Sequence, residues 1–207
     1  DLLNTAGGLQ SIGQIMEFSG PEELDGLRKL MTSLSEQLVD EIRAQREILA
    51  AERGELRAEL RPVNSRDAVA GVVAAYLKHP ACDGKNVFMV PECDAVEIHS
   101  DPTLLRRVLG NLVKNALEAS AEGTEVSVGC RRTGDGRVEF FVHNAGVIPR
   151  EAQLQIFNRS FSTKGNGRGL GTYSVKLLTE RFLRGRVRFV SEPPQGTTFF
   201  VDVPIEP

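Results

Sequence analysis

Residues 167–172 have the sequence Gly-Arg-Gly-Leu-Gly-Thr, and this short segment is the most informative part of the chain. Glycine at every second position lets the backbone approach a charged ligand closely, because no Cβ atom intervenes. The residues that follow, Thr172 to Leu183, have apolar side chains at helical spacing. The glycines therefore precede a predicted helix N-terminus, where free N–H groups and the helix dipole attract phosphate. A plain flexible loop is the alternative for so short a pattern.

Upstream of the glycines, residues 104–119 predict a helix with one apolar and one polar face. Ser100, Asp101 and Pro102 supply a cap and a first-turn proline. The polar face carries Asn111, Lys114, Asn115 and Glu118, which are three or four positions apart. Two asparagines one turn apart indicate oxygen ligands for a hard cation such as Mg²⁺, which takes few protein ligands. Ordinary surface asparagines are the alternative.

Residues 137–144, between the helix and the glycines, predict a strand. Apolar residues alternate along it, and the same parity places Asn144 on the inward face at its end. An inward polar side chain requires a partner. That partner is either a buried backbone group or a purine whose exocyclic amine donates to the Asn144 carbonyl.

In order and spacing, these segments resemble the ATP-binding domain of sensor histidine kinases, in the superfamily shared with gyrase, the ninety-kilodalton chaperones and the MutL repair proteins. The resemblance covers essentially the whole chain. Four family boxes match in sequence order: the asparagine box at 111–119, the first glycine box at 144–149, the phenylalanine box at 157–164 and the second glycine box at 167–171.

The resemblance implies a site for ATP and Mg²⁺. Asn115 would hold the metal ion, while Asn111 and Lys114 would orient the phosphates. Asn144, Gly146 and Thr197 would lie at the adenine. The other implied nucleotide-binding residues belong to the lid and the helix start: Thr163, Lys164, Gly167, Arg168, Gly169, Leu170, Gly171 and Thr172.

Two features depart from the family pattern. The family usually contacts adenine through Asp in an Asp-x-Gly-x-Gly pattern, whereas this chain has Asn144, Gly146 and then Val147. We expect nucleotide binding to survive, because the contact with adenine N6 requires an acceptor and not an ion. Glu118 stands where many relatives carry a phosphate-contacting lysine, and Lys114 would substitute for it.

The N-terminal quarter predicts a helical hairpin, interrupted at Ser19-Gly20-Pro21. Two such helices cannot bury their own apolar stripes, so we expect homodimerisation through residues 1–50 into a four-helix bundle. Packing against the chain's own globular part is the alternative. The stripes comprise Ala6, Leu9, Ile12, Ile15 and Met16, then Leu24, Leu27, Leu30, Leu34, Leu38, Ile42 and Leu49.

In the family this hairpin carries the phosphoacceptor within His-Asp/Glu-x-x-Asn/Thr. Asp1-Leu2-Leu3-Asn4 fits the motif from its second position, so we expect the acceptor histidine directly before Asp1. The resemblance implies that Asp1 accepts the histidine Nδ1 proton. Asn4 would position the water that dephosphorylates the regulator. The three histidines present, His79, His99 and His143, are interpreted as ordinary polar residues.

The expected fold class is α+β: a helical hairpin that forms a dimeric four-helix bundle, followed by a two-layer α/β sandwich of the histidine kinase ATP-binding type. A charged linker is predicted over residues 51–61. The predicted domains are therefore a dimerisation and phosphotransfer hairpin at 1–56 and an ATP-binding catalytic domain at 57–207.

Composition narrows the class of protein. A formal net charge of -3 does not indicate that the chain binds nucleic acid. No apolar run approaches the ~20 residues of a membrane span, so we expect no direct membrane contact by this chain and a cytoplasmic location, including as the cytoplasmic part of a membrane-bound receptor. Cys82, Cys93 and Cys130 are an odd number without paired spacing, which indicates reduced, buried thiols.

The predicted function is that of a two-component sensor histidine kinase core. It would transfer the γ-phosphoryl group of Mg-ATP to a histidine and then to an aspartate of a response regulator receiver domain. One alternative is a non-catalytic nucleotide-binding scaffold, a pseudokinase, which the altered first glycine box favours. The other is an ATP-driven clamp; such relatives carry a water-activating Glu four residues before the metal-binding Asn, where this chain has Asn111.

Overall fold

The computed structural model describes residues 2–16, 20–159 and 170–206. Two helices come first, α1 (Leu2–Met16) and α2 (Pro21–Glu52). Pro21 opens α2, at a position where its missing N–H would have no partner within the helix. The helices pack as a hairpin, because a Cβ built on Gly8 would lie 3.4 Å from Cδ1 of Leu34. The two predicted helices are therefore present.

A five-stranded mixed sheet forms the centre of the rest of the chain. Its strands are β2 (Asn86–Met89), β4 (Glu125–Thr133), β5 (Arg137–Asn144), β6 (Arg186–Glu192) and β7 (Gly196–Pro204). Their order is β2-β4-β5-β7-β6, with β2 parallel to β4 and every other pair antiparallel. A small antiparallel sheet pairs β1 (Arg61–Asn64) with β3 (Glu97–Ser100).

Three helices pack with this sheet around the core: α3 (Ser65–Tyr76), α4 (Pro102–Ala119) and α6 (Leu170–Arg181). A short helix, α5 (Arg150–Gln153), follows β5. The Asp101 carboxylate caps α4 by accepting from the backbone N–H groups of Thr103 and Leu104. Val138, Phe140 and Val142 of β5 are almost completely buried, as their alternation predicts. The α+β class with a mixed sheet is confirmed, and the dimeric four-helix bundle stays a prediction.

The segment predicted as a linker is shorter than expected. Residues 51 and 52 belong to α2, and β1 begins at Arg61. Between them, Leu56 and Ala58 pack on the core, and the Glu59 N–H donates to the Asp101 carboxylate across 2.8 Å. β1 escaped prediction because four residues that include a proline show no clear alternation. The domain division at residues 56 and 57 stays a prediction.

The face of the five-stranded sheet opposite to Val138, Phe140 and Val142 carries an ion-pair network. Glu139 of β5 is 4% exposed and accepts from the guanidinium groups of Arg131 and Arg188. Asp202 of β7 lies directly opposite Glu139 in the strand register. Burial and the neighbouring Glu139 carboxylate raise the pKa of Asp202.

Within the described ranges, no helix combines the length and the apolar composition that crossing a membrane requires.

Candidate functional site

The helix α4 brings Asn115 against the first turn of α6. A Cβ built on Gly171 would lie 3.4 Å from both the Nδ2 and the Oδ1 atoms of Asn115. The Nδ2 atom is buried and has no hydrogen-bond partner among the described residues. A buried donor without a partner costs roughly 1–3 kcal/mol, so this amide has the chemistry of a group that awaits a ligand. The structure thus joins the asparagine box to the end of the second glycine box.

The other polar residues predicted on α4 follow the helix geometry. Asn111 lies one turn before Asn115 and is half-buried, as is Lys114. Glu118, one turn beyond Lys114, is exposed. Asn111, Lys114 and Asn115 therefore offer amide oxygens and one cation along a single polar strip of α4.

Asn144 ends β5 with its side chain directed inward, as its parity predicts. It is 3% exposed, and its Nδ2 atom is a second buried amide nitrogen without a partner in the described part of the chain. A Cβ built on Gly146 would lie 2.8 Å from this Nδ2 atom and 2.9 Å from the Ala119 carbonyl oxygen. Glycine at 146 therefore allows the first glycine box to pack against the C-terminal end of α4.

A directed series of hydrogen bonds fixes the segment after Gly146. The Ile148 N–H donates to the Ser191 Oγ atom across 2.8 Å, and Ser191 and Thr197 lie 2.8 Å apart through their hydroxyl oxygens. Thr197 donates to the Gly146 carbonyl across 2.7 Å. A hydroxyl has a single proton, so Ser191 must donate to Thr197. Thr197 keeps one lone pair on its hydroxyl oxygen.

Thr197 and Asn144 are direct neighbours, because they are paired in the register of β5 and β7. Gln153 supports the same corner by donating to the backbone carbonyls of Ile148 and Ser191. Sequence reasoning found Thr197 but missed Ser191 and Gln153. An antiparallel pairing of residues 186–192 with residues 196–204 could have indicated Ser191, which lies opposite Thr197 in the register of β6 and β7.

Phe157 anchors the segment that leads into the lid. Its ring makes edge contacts with Phe189 and Phe199, with centroid distances of 5.8 and 6.3 Å. The Lys176 ammonium lies 5.8 Å from the centroid of the same ring. The start of the phenylalanine box is therefore fixed to β6, β7 and α6.

Several predicted site residues lie outside the described residues: Asp1, Thr163, Lys164, Gly167, Arg168 and Gly169. Asn4 lies in the first turn of α1. Leu170, Gly171 and Thr172 form the first turn of α6, and the Thr172 hydroxyl donates to the Ile156 carbonyl. The phosphate-holding lid thus stays a prediction, while its helix start is observed next to Asn115.

The end of α2 also reaches this region. The Glu52 carboxylate accepts from Arg159 across 2.9 and 3.2 Å and from the Tyr173 hydroxyl across 3.0 Å. Burial, followed by the hydrogen bond to Glu52, raises the pKa of Tyr173. No feature of the sequence predicted this contact, because it joins residues more than one hundred positions apart.

Comparison with known proteins finds one matching family profile, described as histidine kinase-, DNA gyrase B-, and HSP90-like ATPase, over residues 100–207. The sensor protein DegM from Bacillus sp. (strain B21-2) is 32% identical over 135 residues, which cover 65% of this chain and 36% of DegM. The chain thus spans about a third of the length of this curated relative.

Solved structures with a similar fold include the Acinetobacter baumannii histidine kinase AdeS, with a TM-score of 0.77 and 19% identity. That match covers 99% of this chain and 96% of AdeS. The histidine kinase ThkA, solved in complex with the response regulator TrrA, gives a TM-score of 0.73 at 21% identity. It covers 99% of this chain and 58% of ThkA. At these identities the likeness establishes the fold.

Proposed function

This chain belongs to the histidine kinase-, DNA gyrase B- and HSP90-like ATPase family, and from that membership we propose that it is the core of a two-component sensor histidine kinase. It binds Mg²⁺ and ATP, transfers the γ-phosphoryl group to a histidine and passes it to an aspartate of a response regulator. The observation that carries the proposal is the pair of buried amide nitrogens, on Asn115 and Asn144, without partners among the described residues. The relatives found by sequence include sensor histidine kinases, which agrees with this activity.

The polar strip of α4 binds the metal ion and the phosphates in this proposal. Asn115 supplies its carbonyl oxygen to Mg²⁺, which prefers oxygen ligands and keeps water and phosphate around it. Asn111 and Lys114 orient the phosphates. The amides from Gly167 to Gly171 neutralise charge that develops during transfer, since phosphoryl transfer depends mainly on positioning and electrostatics.

Adenine binds beside Asn144 of β5 and Thr197 of β7 in this proposal. Asn144 accepts a hydrogen bond from the exocyclic amine at N6. Its neighbour Thr197 has already donated its proton to Gly146, so it can only accept from a ligand. The Asn144 amide nitrogen donates to a ring nitrogen of the base. This ring nitrogen is the hydrogen-bond acceptor that the buried amide nitrogen lacks among the described residues.

The hairpin supplies the acceptor and the partner surfaces. Asp1 would accept the Nδ1 proton of the acceptor histidine, and Asn4 would position a water for dephosphorylation. Residues 1–56 would form the dimerisation and phosphotransfer domain, with a homodimer through residues 1–50, and residues 57–207 the catalytic domain. ThkA was solved with a response regulator, which supports a receiver domain as the partner. A cytoplasmic location is part of this proposal.

A second candidate function is a non-catalytic nucleotide-binding scaffold. The observation that favours it is the altered first glycine box, where Asn144 lacks the usual charge and Val147 is 42% exposed. The ATP-driven clamp is disfavoured by Asn111, because an amide cannot act as the base that activates water.

Calorimetry with ADP, with and without Mg²⁺, tests the site. We expect Mg²⁺ to strengthen ADP binding in the unmutated chain, and Asn115→Ala to remove the Mg²⁺-dependent part. Asn86→Ala is the matched control, because Asn86 is an exposed residue of β2 and bonds to Glu125. Equal affinity with and without Mg²⁺ would remove the metal role, and no binding at all would remove the proposed function.

Radiolabelled ATP separates the kinase from the scaffold. A chain that carries histidine directly before Asp1 should incorporate γ-phosphate as an acid-labile, base-stable phosphohistidine. The 207 residues alone should bind nucleotide and remain unlabelled at His79, His99 and His143. Stable label at any of these three would contradict the assignment, and nucleotide binding without transfer in the longer chain would establish the scaffold.

A further inference from the structure

Two of the three cysteines meet in the core, and neither belongs to the residues assigned to the nucleotide. Cys130 lies on β4 and Cys93 lies between β2 and β3, and their Sγ atoms are 3.0 Å apart. The two side chains are 0% and 4% exposed. Their spacing of 37 positions gave no hint of the contact, while the interpretation of the cysteines as reduced, buried thiols is confirmed. Both are free thiols in this structure.

The backbone on each side of the pair is held in place. The Asp94 N–H donates to the Cys130 carbonyl across 3.0 Å, and the Arg132 N–H donates to the Asp94 carboxylate across 2.8 Å. The Cys130 thiol donates to the Asp94 carbonyl across 3.2 Å, which leaves the Cys93 thiol to donate to Cys130. The Ser65 hydroxyl also bonds to the Asp94 carbonyl, across 2.6 Å.

This geometry requires little movement to become covalent. A disulfide holds its sulfur atoms about 2.05 Å apart, so the two sulfurs must approach by roughly 1 Å. These hydrogen bonds hold the second sulfur beside the first, which favours condensation of the pair over further oxidation of either sulfur. We propose that Cys93 and Cys130 are a redox modification site, which closes to a disulfide when a hydroperoxide reaches it.

The two cysteines have different roles in the reaction. Burial raises the pKa of Cys130 to about 12. Cys130 is therefore a poor first nucleophile, because the thiolate is the reactive form. Cys93 lies in an irregular segment between strands, where local opening admits a small oxidant more readily than in β4. Cys93 reacts first and Cys130 supplies the second sulfur.

The reaction balances with hydrogen peroxide as the oxidant. The Cys93 thiolate attacks one peroxide oxygen, the O–O bond breaks, and the departing hydroxide takes up the proton that Cys93 released. Cys93 is then a sulfenic acid. The Cys130 sulfur displaces the hydroxyl group, the S–S bond forms, and the Cys130 proton leaves with that oxygen as a second water. Two thiols lose two electrons in total, and one peroxide is reduced to two waters.

Peptide mapping of the unmutated protein tests this inference. After treatment with hydrogen peroxide, the protein is denatured, alkylated with iodoacetamide, digested and analysed by mass spectrometry. We expect a peptide pair joined through Cys93 and Cys130, lighter by two hydrogen atoms than its parts and separated by dithiothreitol. Cys82, a buried thiol that bonds to the Lys85 carbonyl, should remain available for alkylation or carry oxygen only.

Two variants sharpen the result. Cys82→Ser is the matched control and should give the same joined peptides, whereas Cys93→Ser should give none and leave Cys130 unoxidised. Alkylation of all three cysteines in the treated protein, or oxygen addition at Cys93 and Cys130 without a joined peptide, would overturn the proposal. A disulfide that includes Cys82 would overturn it as well. The peptide map of the unmutated chain decides the matter even if a variant fails to fold.

Discussion

Tyr173 of α6 donates its hydroxyl proton to the carboxylate of Glu52, at the end of α2, across 3.0 Å. The same carboxylate accepts from Arg159. In the sequence, Arg159 precedes and Tyr173 follows residues 160–169, which include the predicted lid. The Glu52 carboxylate therefore connects the end of the hairpin to the segments before and after the lid. Any motion of the ATP-binding part along the hairpin must first break these bonds.

Tyr173→Phe should loosen this contact. The change removes one hydrogen bond to a partly exposed carboxylate, worth about 1 kcal/mol, and keeps the ring. We expect faster hydrogen exchange of the backbone amides over residues 49–56, measured by mass spectrometry. Glu55→Gln is the control, because Glu55 is an exposed carboxylate three positions beyond Glu52. Unchanged exchange in Tyr173→Phe would show that the contact contributes nothing in solution.

Gly146→Ala should weaken nucleotide binding. The added methyl group would lie 2.8 Å from the Asn144 amide nitrogen and 2.9 Å from the Ala119 carbonyl oxygen. The backbone must therefore shift, and overpacking of this kind costs about 1–3 kcal/mol. We expect ADP affinity to fall by at least about tenfold, which corresponds to 1.4 kcal/mol.

The matched control for this change is Gly134→Ala. A Cβ on Gly134, in the turn between β4 and β5, would meet nothing within 4 Å. That variant should bind ADP as the unmutated chain does, in the same calorimetric titration. Equal affinity of the two alanine variants would mean that the corner of Asn144 and Gly146 does not contact the nucleotide.

Asp202→Asn should stabilise the protein at neutral pH. The pKa of Asp202 is higher in the folded state than its ordinary value of 3.8, so the folded state binds the proton more tightly than the unfolded state. Its contribution to stability is therefore present at low pH and is lost as the pH rises through the folded pKa. The amide removes this loss, which is less than about 1 kcal/mol because Asp202 is only partly buried.

Thermal unfolding at pH values from 4 to 7 measures the effect of Asp202→Asn. The unfolding midpoint of the variant should exceed that of the unmutated chain by more at pH 7 than at pH 4. A variant whose midpoint falls at pH 7 would show that the ionised carboxylate is stabilised by Arg188 and Arg137 more than it is penalised by burial.

Ile42→Asp should disrupt the proposed homodimer. Met31, Ile42 and Leu49 are each about two-fifths exposed on α2, and at 100° per residue they lie within about 20° of one line. A carboxylate in a buried seam costs several kcal/mol. Light scattering should show a dimer for the unmutated chain and for Ile42→Val, and a monomer for Ile42→Asp. A monomer mass for the unmutated chain at micromolar concentration would exclude the dimer.

The regular elements were predictable because their signals are local. The bounds of β5 follow from alternation over Val138, Phe140 and Val142, and the start of α4 follows from Asp101 and Pro102. The inward direction of Asn144 followed from the same parity. Each of these features depends on residues within a few positions of one another.

The features that were missed depend on contacts between distant segments. The bond between Glu52 and Tyr173 requires the end of α2 to reach α6, and the contact between Cys93 and Cys130 requires a known path from β2 to β3. Ser191 became part of the site only through its register with Thr197. Spacing along the chain contains none of this information.

The hydrogen bonds from Ile148 through Ser191 and Thr197 to Gly146 fix which lone pair and which proton each hydroxyl group presents at the site. The series ends at the Gly146 carbonyl, which can only accept, so the main chain sets the direction of each hydroxyl proton. For the nucleotide proposed here, a purine amino group would meet a lone pair on Thr197, and a purine carbonyl at the same point would be repelled by it. Adenine would thus be distinguished from guanine through proton direction, even though Asn144 carries no charge.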